Sequence, residues 1–182
     1  MILKEWQKFK GWAVLEYFLS QQKRIHLKGL AKELKISPRT AQIYLQLYEK
    51  DGLLDMESIG NLKLYSLADS PLTRELRRAY LLLKITAPIN GFVKENRSVT
   101  GVILYGSAAK GEYDSSSDID LLVISDKKEL NLKMIKGLET DIGKEVRIDV
   151  LGLGELRRLA DKQDSFYKSV IKNNIQLYGA TL

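Results

Sequence analysis

The segment DIDLLVIS, residues 118–125, sets the hardest constraint on the fold. It reads as an apolar strand whose entrance carries two aspartates one residue apart. Residues i and i+2 of a strand project to the same face, about 6.5–7 Å apart at the backbone. Asp118 and Asp120 therefore point together, while Ile119, Leu121 and Val123 turn the other way into a core. At roughly 5 Å and an effective dielectric of about 20, two carboxylates repel by on the order of 3 kcal/mol. A sheltered site does not hold such a pair without reason. A divalent cation reverses the sign, and Mg²⁺ in particular takes a couple of carboxylates together with water and substrate phosphate.

The neighbouring strands extend this reading. VTGVILYG, residues 99–106, ends in Gly106, where the missing side chain lets a phosphate approach the main chain, and Ser107 adds a hydroxyl and an N–H. Lys110 follows a turn later, as a point charge for a triphosphate. Strand EVRIDVLG offers Asp149, opposite in facing to Ile148 and Val150, as a third carboxylate. Asp141 and Glu145 are the poorer choices because they are expected in the preceding turn. Tyr105 and Tyr113 flank the site, where each either stacks on a base or packs.

Composition removes the competing chemistries. The chain has 182 residues, no cysteine and a single histidine, His26, so disulfides, zinc fingers and thiol catalysis are out of reach, and an imidazole-cluster metal site or a Ser-His-Asp arrangement is not expected. His26 is expected in a turn or at the surface rather than as a ligand. No apolar run approaches a membrane span and the N-terminus lacks a signal-like apolar stretch, which predicts a cytoplasmic chain without a membrane partner. Residues 1–86 hold 15 Lys+Arg and 9 Asp+Glu, and residues 87–182 hold 14 of each, so the whole excess of +6 is N-terminal. That half meets a polyanion or simply carries a solvated basic face.

Periodicity predicts two domains and a connector. Helices are expected over 6–20, over 27–36 and over PRTAQIYLQLYEK, the last capped by Ser37 with Pro38 at its first position. LLDMES and LKLYSL around Ile59-Gly60-Asn61 read as a β-hairpin. A helix starting at Ser70-Pro71 is the connector, ended or restarted by Pro88, with a short helix over 89–96. Beyond the first two strands come a helix at 127–140, the Asp149 strand and helices around 156–160 and 166–171. The fold class is thus an N-terminal winged helix-turn-helix, mostly α with a β-hairpin wing, over 1–68; a connector over 69–86; and a C-terminal α/β domain with a small mixed sheet over 87–182.

Gly-Ser, ten residues, then Asp-Ile-Asp, followed by a later apolar-Asp-apolar strand, resembles the minimal form of the DNA polymerase beta-type nucleotidyltransferases over about residues 98–150. The resemblance implies Mg²⁺-dependent transfer of a nucleoside monophosphate, most plausibly AMP from ATP, to an acceptor hydroxyl. It assigns Gly106 and Ser107 to phosphate, with Lys110 beside them, and Asp118, Asp120 and Asp149 to two metal ions. Where minimal members often carry two arginines after Gly-Ser, this chain has Ala108 and Lys110. The acceptor is open among protein, RNA and small molecule; a partner protein of a toxin–antitoxin pair is one candidate by resemblance.

The N-terminal pattern is similar to winged helix-turn-helix domains. On that reading Arg39, Thr40, Gln42, Ile43 and Gln46 would face a major groove, Lys63 would be the wing's phosphate contact, and Lys28 and Lys32, with Lys23, Arg24 and Lys35, would meet the backbone of double-stranded DNA. Ile43 and Leu47 fit a groove poorly, so dimerisation and docking of the other domain stand beside DNA binding, and a homodimer stays open. The rival to the enzyme is a DNA-binding regulator whose C-terminal domain binds nucleotide without turnover. A purely structural module is a third option.

Overall fold

The computed structural model describes residues 6, 8–21, 23–114 and 116–179; Gln7 of the first expected helix, the first five residues and the last three lie outside them. The chain divides into two compact units, 1–77 and 78–182.

In the first unit the elements are α1 (Lys10–Gln21), β1 (Ile25–His26), α2 (Leu27–Glu33), α3 (Pro38–Lys50), β2 (Leu54–Ile59) and β3 (Leu62–Leu67). Val14, Phe18, Leu30, Ala41, Leu45, Leu54 and Tyr65 form its core. The α3 start follows from local chemistry: Ser37 Oγ accepts the Thr40 N–H at 3.0 Å, and Pro38 supplies a preset φ where no N–H is needed. β2 and β3 pair antiparallel around Gly60, which has φ +58°, and β1 adds on the far side of β3. His26 has a defined role. Its Nδ1 accepts the Gly29 N–H at 3.0 Å and caps α2. That helix is shorter than the expected 27–36, because Lys35 turns to φ +52° and ends it.

The second unit is built on a mixed sheet in the order β6-β5-β4-β7, with β4 (Val99–Tyr105), β5 (Ile119–Ser125), β6 (Val146–Leu151) and β7 (Asn174–Tyr178). β5 runs antiparallel to β4 and parallel to β6, and β7 pairs antiparallel with β4. One face packs on α4 (Pro71–Glu95) and α6 (Lys133–Ile142) through Ile85, Ile89, Phe92, Val102, Leu104, Ile119, Leu121, Val123, Ile135 and Leu138. The other is covered by α7 (Leu153–Asp161) and α8 (Ser165–Lys172) through Ile103, Leu122, Ile124, Leu156 and Val170. A one-turn helix, α5 (Gly106–Lys110), follows β4 directly.

Several expectations are corrected. Pro88 neither ends nor restarts a helix: α4 runs unbroken from Pro71 to Glu95, taking in both the connector and the short helix expected at 89–96. A proline inside a helix costs about 3 kcal/mol, but burying each of Ile85, Ile89 and Phe92 returns about 1.5–3 kcal/mol, so packing overrides the local penalty. α6 begins at Lys133 rather than 127, since the segment before it is held as loop. Ser125 Oγ accepts the Lys127 N–H at 3.1 Å, and Asn96 exchanges hydrogen bonds with the Asn131 backbone at 2.7 and 3.0 Å. Asp141 consequently lies within α6, not in a turn. β7 had no expected counterpart; its pairing partner is a strand some seventy residues away, and a short alternating pentapeptide is invisible without it.

Candidate active site

Register decides which side chains meet. Asp120 is opposite Tyr105 of β4 on one side and Arg147 of β6 on the other, and Asp149 is opposite Leu122. Directly paired residues share a face, so Tyr105, Asp120, Arg147 and Asp149 all lie on the α7/α8 side of the sheet. Ile119, Leu121 and Val123 lie on the other, as the alternation predicted. The apolar cover of Leu156 and Val170 reaches Ile103, Leu122 and Ile124 and leaves the β5 entrance half-open.

Asp118 and Asp120 are half-buried, and Asp149 is exposed. Burial raises the Asp120 pKa above the ordinary 3.8, the charge on Arg147 pulls it down, and Asp118 and Asp149 push it up again. Asp120 therefore feels the charge of both other acids across the strand ends. Gly106 fixes the floor beside Asp120. Its φ is +74°, and a Cβ placed there would lie 2.6 Å from Asp120 Oδ2 and 3.5 and 3.7 Å from its Cγ and Cβ. A glycine is thus required twice, for its backbone and for the closeness of the acid.

Asp149 is exposed but held: the Tyr105 hydroxyl donates to its Oδ2 at 2.5 Å, and the Tyr105 ring meets Phe166 of α8 edge-on at 5.7 Å. Burial first, then the hydrogen bond and the charge of Asp149, drive the Tyr105 pKa far above 10. The phenol stays protonated and donating at any physiological pH. Asp118 precedes β5, and its Oδ2 lies 2.6 Å from Arg147 Nη2.

The loop before Asp118 is tied from within. Asp114 Oδ1 accepts from the Ser116 N–H at 2.9 Å and from the hydroxyls of Ser116 and Ser117 at 2.8 and 2.9 Å, which lower its pKa to about 2. Lys144 donates to the carbonyls of Asp114 and Ser117 and sits over the Tyr113 ring at 5.5 Å; burial lowers its pKa, against the charges of Asp114 and Asp118. Tyr113 itself is 3% exposed and packs in the core, which removes it as a base-stacking surface.

Lys110 is exposed at the end of α5, with Nζ 3.9 Å from Glu112 Oε2. Ser107 is half-buried in the first turn of α5, and Ala108 is wholly buried, so position 108 faces the core. Reading the strand VRIDV by alternation could have found Arg147, two residues from Asp149 on the same face. Nothing in the sequence marks Lys144.

Three carboxylates on one sheet face are a hard-oxygen donor set that suits Mg²⁺ or Mn²⁺. Their oxygens are not gathered around a point: among the described residues no three acidic or imidazole side chains stand at metal-holding distance. Arg147 holds the Asp118 carboxylate instead.

In the first unit Lys28, Lys32, Arg39, Gln42, Gln46 and Lys63 are exposed, and Thr40 is half-buried with its hydroxyl 2.8 Å from Ser37 Oγ. Arg24 is paired with Glu57 across the hairpin. Ile43 is 52% and Leu47 44% exposed on the same α3 face as the glutamines. No helix among the described residues is long and apolar enough to cross a membrane.

This sheet, with its paired-acid strand, is the nucleotidyltransferase class, and the chain belongs to the nucleotidyltransferase domain family, whose model matches residues 88–178, half of its length. Solved structures similar to it include a toxin–antitoxin with AMP-PNP, at 20% identity over 53% of this chain and 74% of that one, with TM-score 0.38. A candidate nucleotidyltransferase from Sulfolobus solfataricus shows 22% identity over 57% and 85%, with TM-score 0.35. A mutant of the toxin–antitoxin MntA–HpeT shows 17% identity over 53% and 74%, with TM-score 0.37. No curated protein matches the chain.

Proposed function

We propose that the chain transfers a nucleoside monophosphate, with ATP as donor, to a hydroxyl of an acceptor and releases pyrophosphate. The observation that carries this reading is the shared facing of Asp120 and Asp149, with Asp118 at the same strand entrance and electrostatically coupled to Asp120. Asp118 and Asp120 would hold both Mg²⁺ ions and Asp149 one of them. When bound, Mg²⁺ supplies the positive charge that neutralises the triphosphate and eases loss of the acceptor's proton. The chain's own part is positional. Tyr105 keeps the Asp149 carboxylate oriented and Gly106 leaves room for the Asp120 carboxylate, while Ser107 and Lys110 would meet the phosphates. The α–β phosphoanhydride bond breaks, the acceptor oxygen bonds to the α-phosphorus, and the hydroxyl proton leaves to solvent or carboxylate.

We read residues 1–68, within the first unit, as a winged helix-turn-helix, with α2 and α3 as the helix pair and β2–β3 as the wing. The exposure of Ile43 and Leu47 in the middle of α3 favours its use against protein, either a second copy or the acceptor, over insertion in a major groove. Lys28, Lys32 and Lys63 remain the candidates for contact with duplex phosphate, and DNA binding would show as a salt-sensitive shift.

The test of the enzyme reading is pyrophosphate release from Mg-ATP by the full chain, supplied with candidate acceptor proteins. Release that needs Mg²⁺ and disappears in Asp120→Asn supports it. Mg-ATP binding with no pyrophosphate for any acceptor would leave the nucleotide-sensing regulator as the function.

A further inference from the structure

Among the described residues, Arg147 is the one cation that faces the carboxylate group from within the sheet. Strand parity places it on the same face as Asp149, register sets it opposite Asp120, and its guanidinium reaches Asp118 Oδ2 at 2.6 Å. A guanidinium keeps its charge at every pH the protein meets and cannot itself ligate a metal, so a cation arriving at the Asp118 carboxylate meets its repulsion at short range. The acids therefore carry an internal counter-charge.

We propose that Arg147 is a resident counter-ion that occupies Asp118 until a divalent ion displaces it, so that metal entry is an exchange of cations rather than filling of an open site. The proposal rests on the assignment of Asp118, Asp120 and Asp149 to the metal. The exchange is feasible because the Arg147 side chain is 63% exposed, and ion pairs at such positions are weak and easily released. It also accounts for why the carboxylates, all on one face, are not drawn together: Asp118 is turned toward its own strand neighbour's guanidinium. The exposed arm can swing to solvent without disturbing β6, since Ile148 and Val150 anchor that strand on the opposite face.

The experiment is calorimetric titration of Mn²⁺ alone into the nucleotide-free full chain, for the native protein, Arg147→Gln, Arg147→Lys and Asp118→Asn. Arg147→Gln is expected to bind Mn²⁺ about three- to tenfold more tightly, the range set by a partly screened unit charge at short distance. Arg147→Lys keeps the charge without the two-pronged fork and is expected to fall between. Asp118→Asn is expected to weaken binding. Equal or weaker binding by Arg147→Gln, while the native chain binds and Asp118→Asn does not, overturns the counter-ion role and leaves the metal assignment standing. If Mn²⁺ binds neither the native chain nor Arg147→Gln, or binds Asp118→Asn unchanged, the metal assignment fails and the exchange falls with it. Should Arg147→Gln fail to fold by circular dichroism, Arg147→Lys decides: affinity no higher than native overturns the exchange.

Discussion

Leu121 and Leu122 are adjacent in β5 and nearly equally buried, at 1% and 0% exposure, yet they belong to different parts of the protein. Leu121 joins the continuous core under α4 and α6, while Leu122 lies under α7 and α8 in a smaller cluster that stops short of the strand entrance. One face is closed along the whole strand; the other is closed for half of it and opens onto Asp120. The difference teaches that the strand does structural work on one side and chemistry on the other. The period of two keeps the two functions independent.

That separation can be broken most directly by exchanging the acid. Asp120→Asn is expected to reduce pyrophosphate release by about a thousandfold, beyond the 10–100-fold typical of outer-shell groups, without loss of stability. The sign follows from linkage: a carboxyl raised above 3.8 by burial binds more protons folded than unfolded, so stability falls as pH rises through the raised value. At neutral pH the charged form is a net cost that the amide removes. Equal urea midpoints, or a higher one for the variant, would bear this out; a clearly lower one would mean Asp120 is structural.

The reciprocal change is Leu121→Ala, expected to cost about 2–5 kcal/mol in urea unfolding while metal affinity per folded molecule is kept. A loss of affinity in the folded fraction would show that the two faces are coupled. Tyr105→Phe sharpens the comparison on the chemical face alone. It frees Asp149 while keeping the ring on Phe166, and about a tenfold loss of Mn²⁺ affinity with little change in stability is expected. If calorimetry shows no change, Tyr105 is only a packing residue.

The smallest effect concerns the loop leading into Asp118. Asp114 has a depressed pKa, so its contribution is fully present above 3.8 and is lost as pH falls through about 2. Carbon-detected NMR of its carboxyl should titrate near that lower value, with the Ser116 amide shifting in step. A midpoint near 3.8 would mean that the turn is not formed in solution.

Much of the site was legible because its signals are local. Strand alternation paired Asp118 with Asp120 and set Asp149 against Ile148 and Val150; Gly106 was read as room for a phosphate, whereas φ +74° and the Asp120 carboxylate are what demand a glycine there. The α3 cap followed from Ser37-Pro38. Pro88 misled because a local helix penalty was set against burial that only the assembled core reveals. The loop before α6 was hidden for a similar reason: the groups that hold it, Ser125 and Asn96, belong to other elements.

What the sequence by itself determined is therefore what is governed by period and by neighbours within a few residues: strands β2 to β6 and the facing of each aspartate along its own strand. What only the tertiary structure decided is which faces of different strands coincide, that Arg147 rather than open space lies against Asp118, and that Tyr105 holds Asp149. Register between strands depends on packing summed over the whole sheet, and no local run of residues carries that sum.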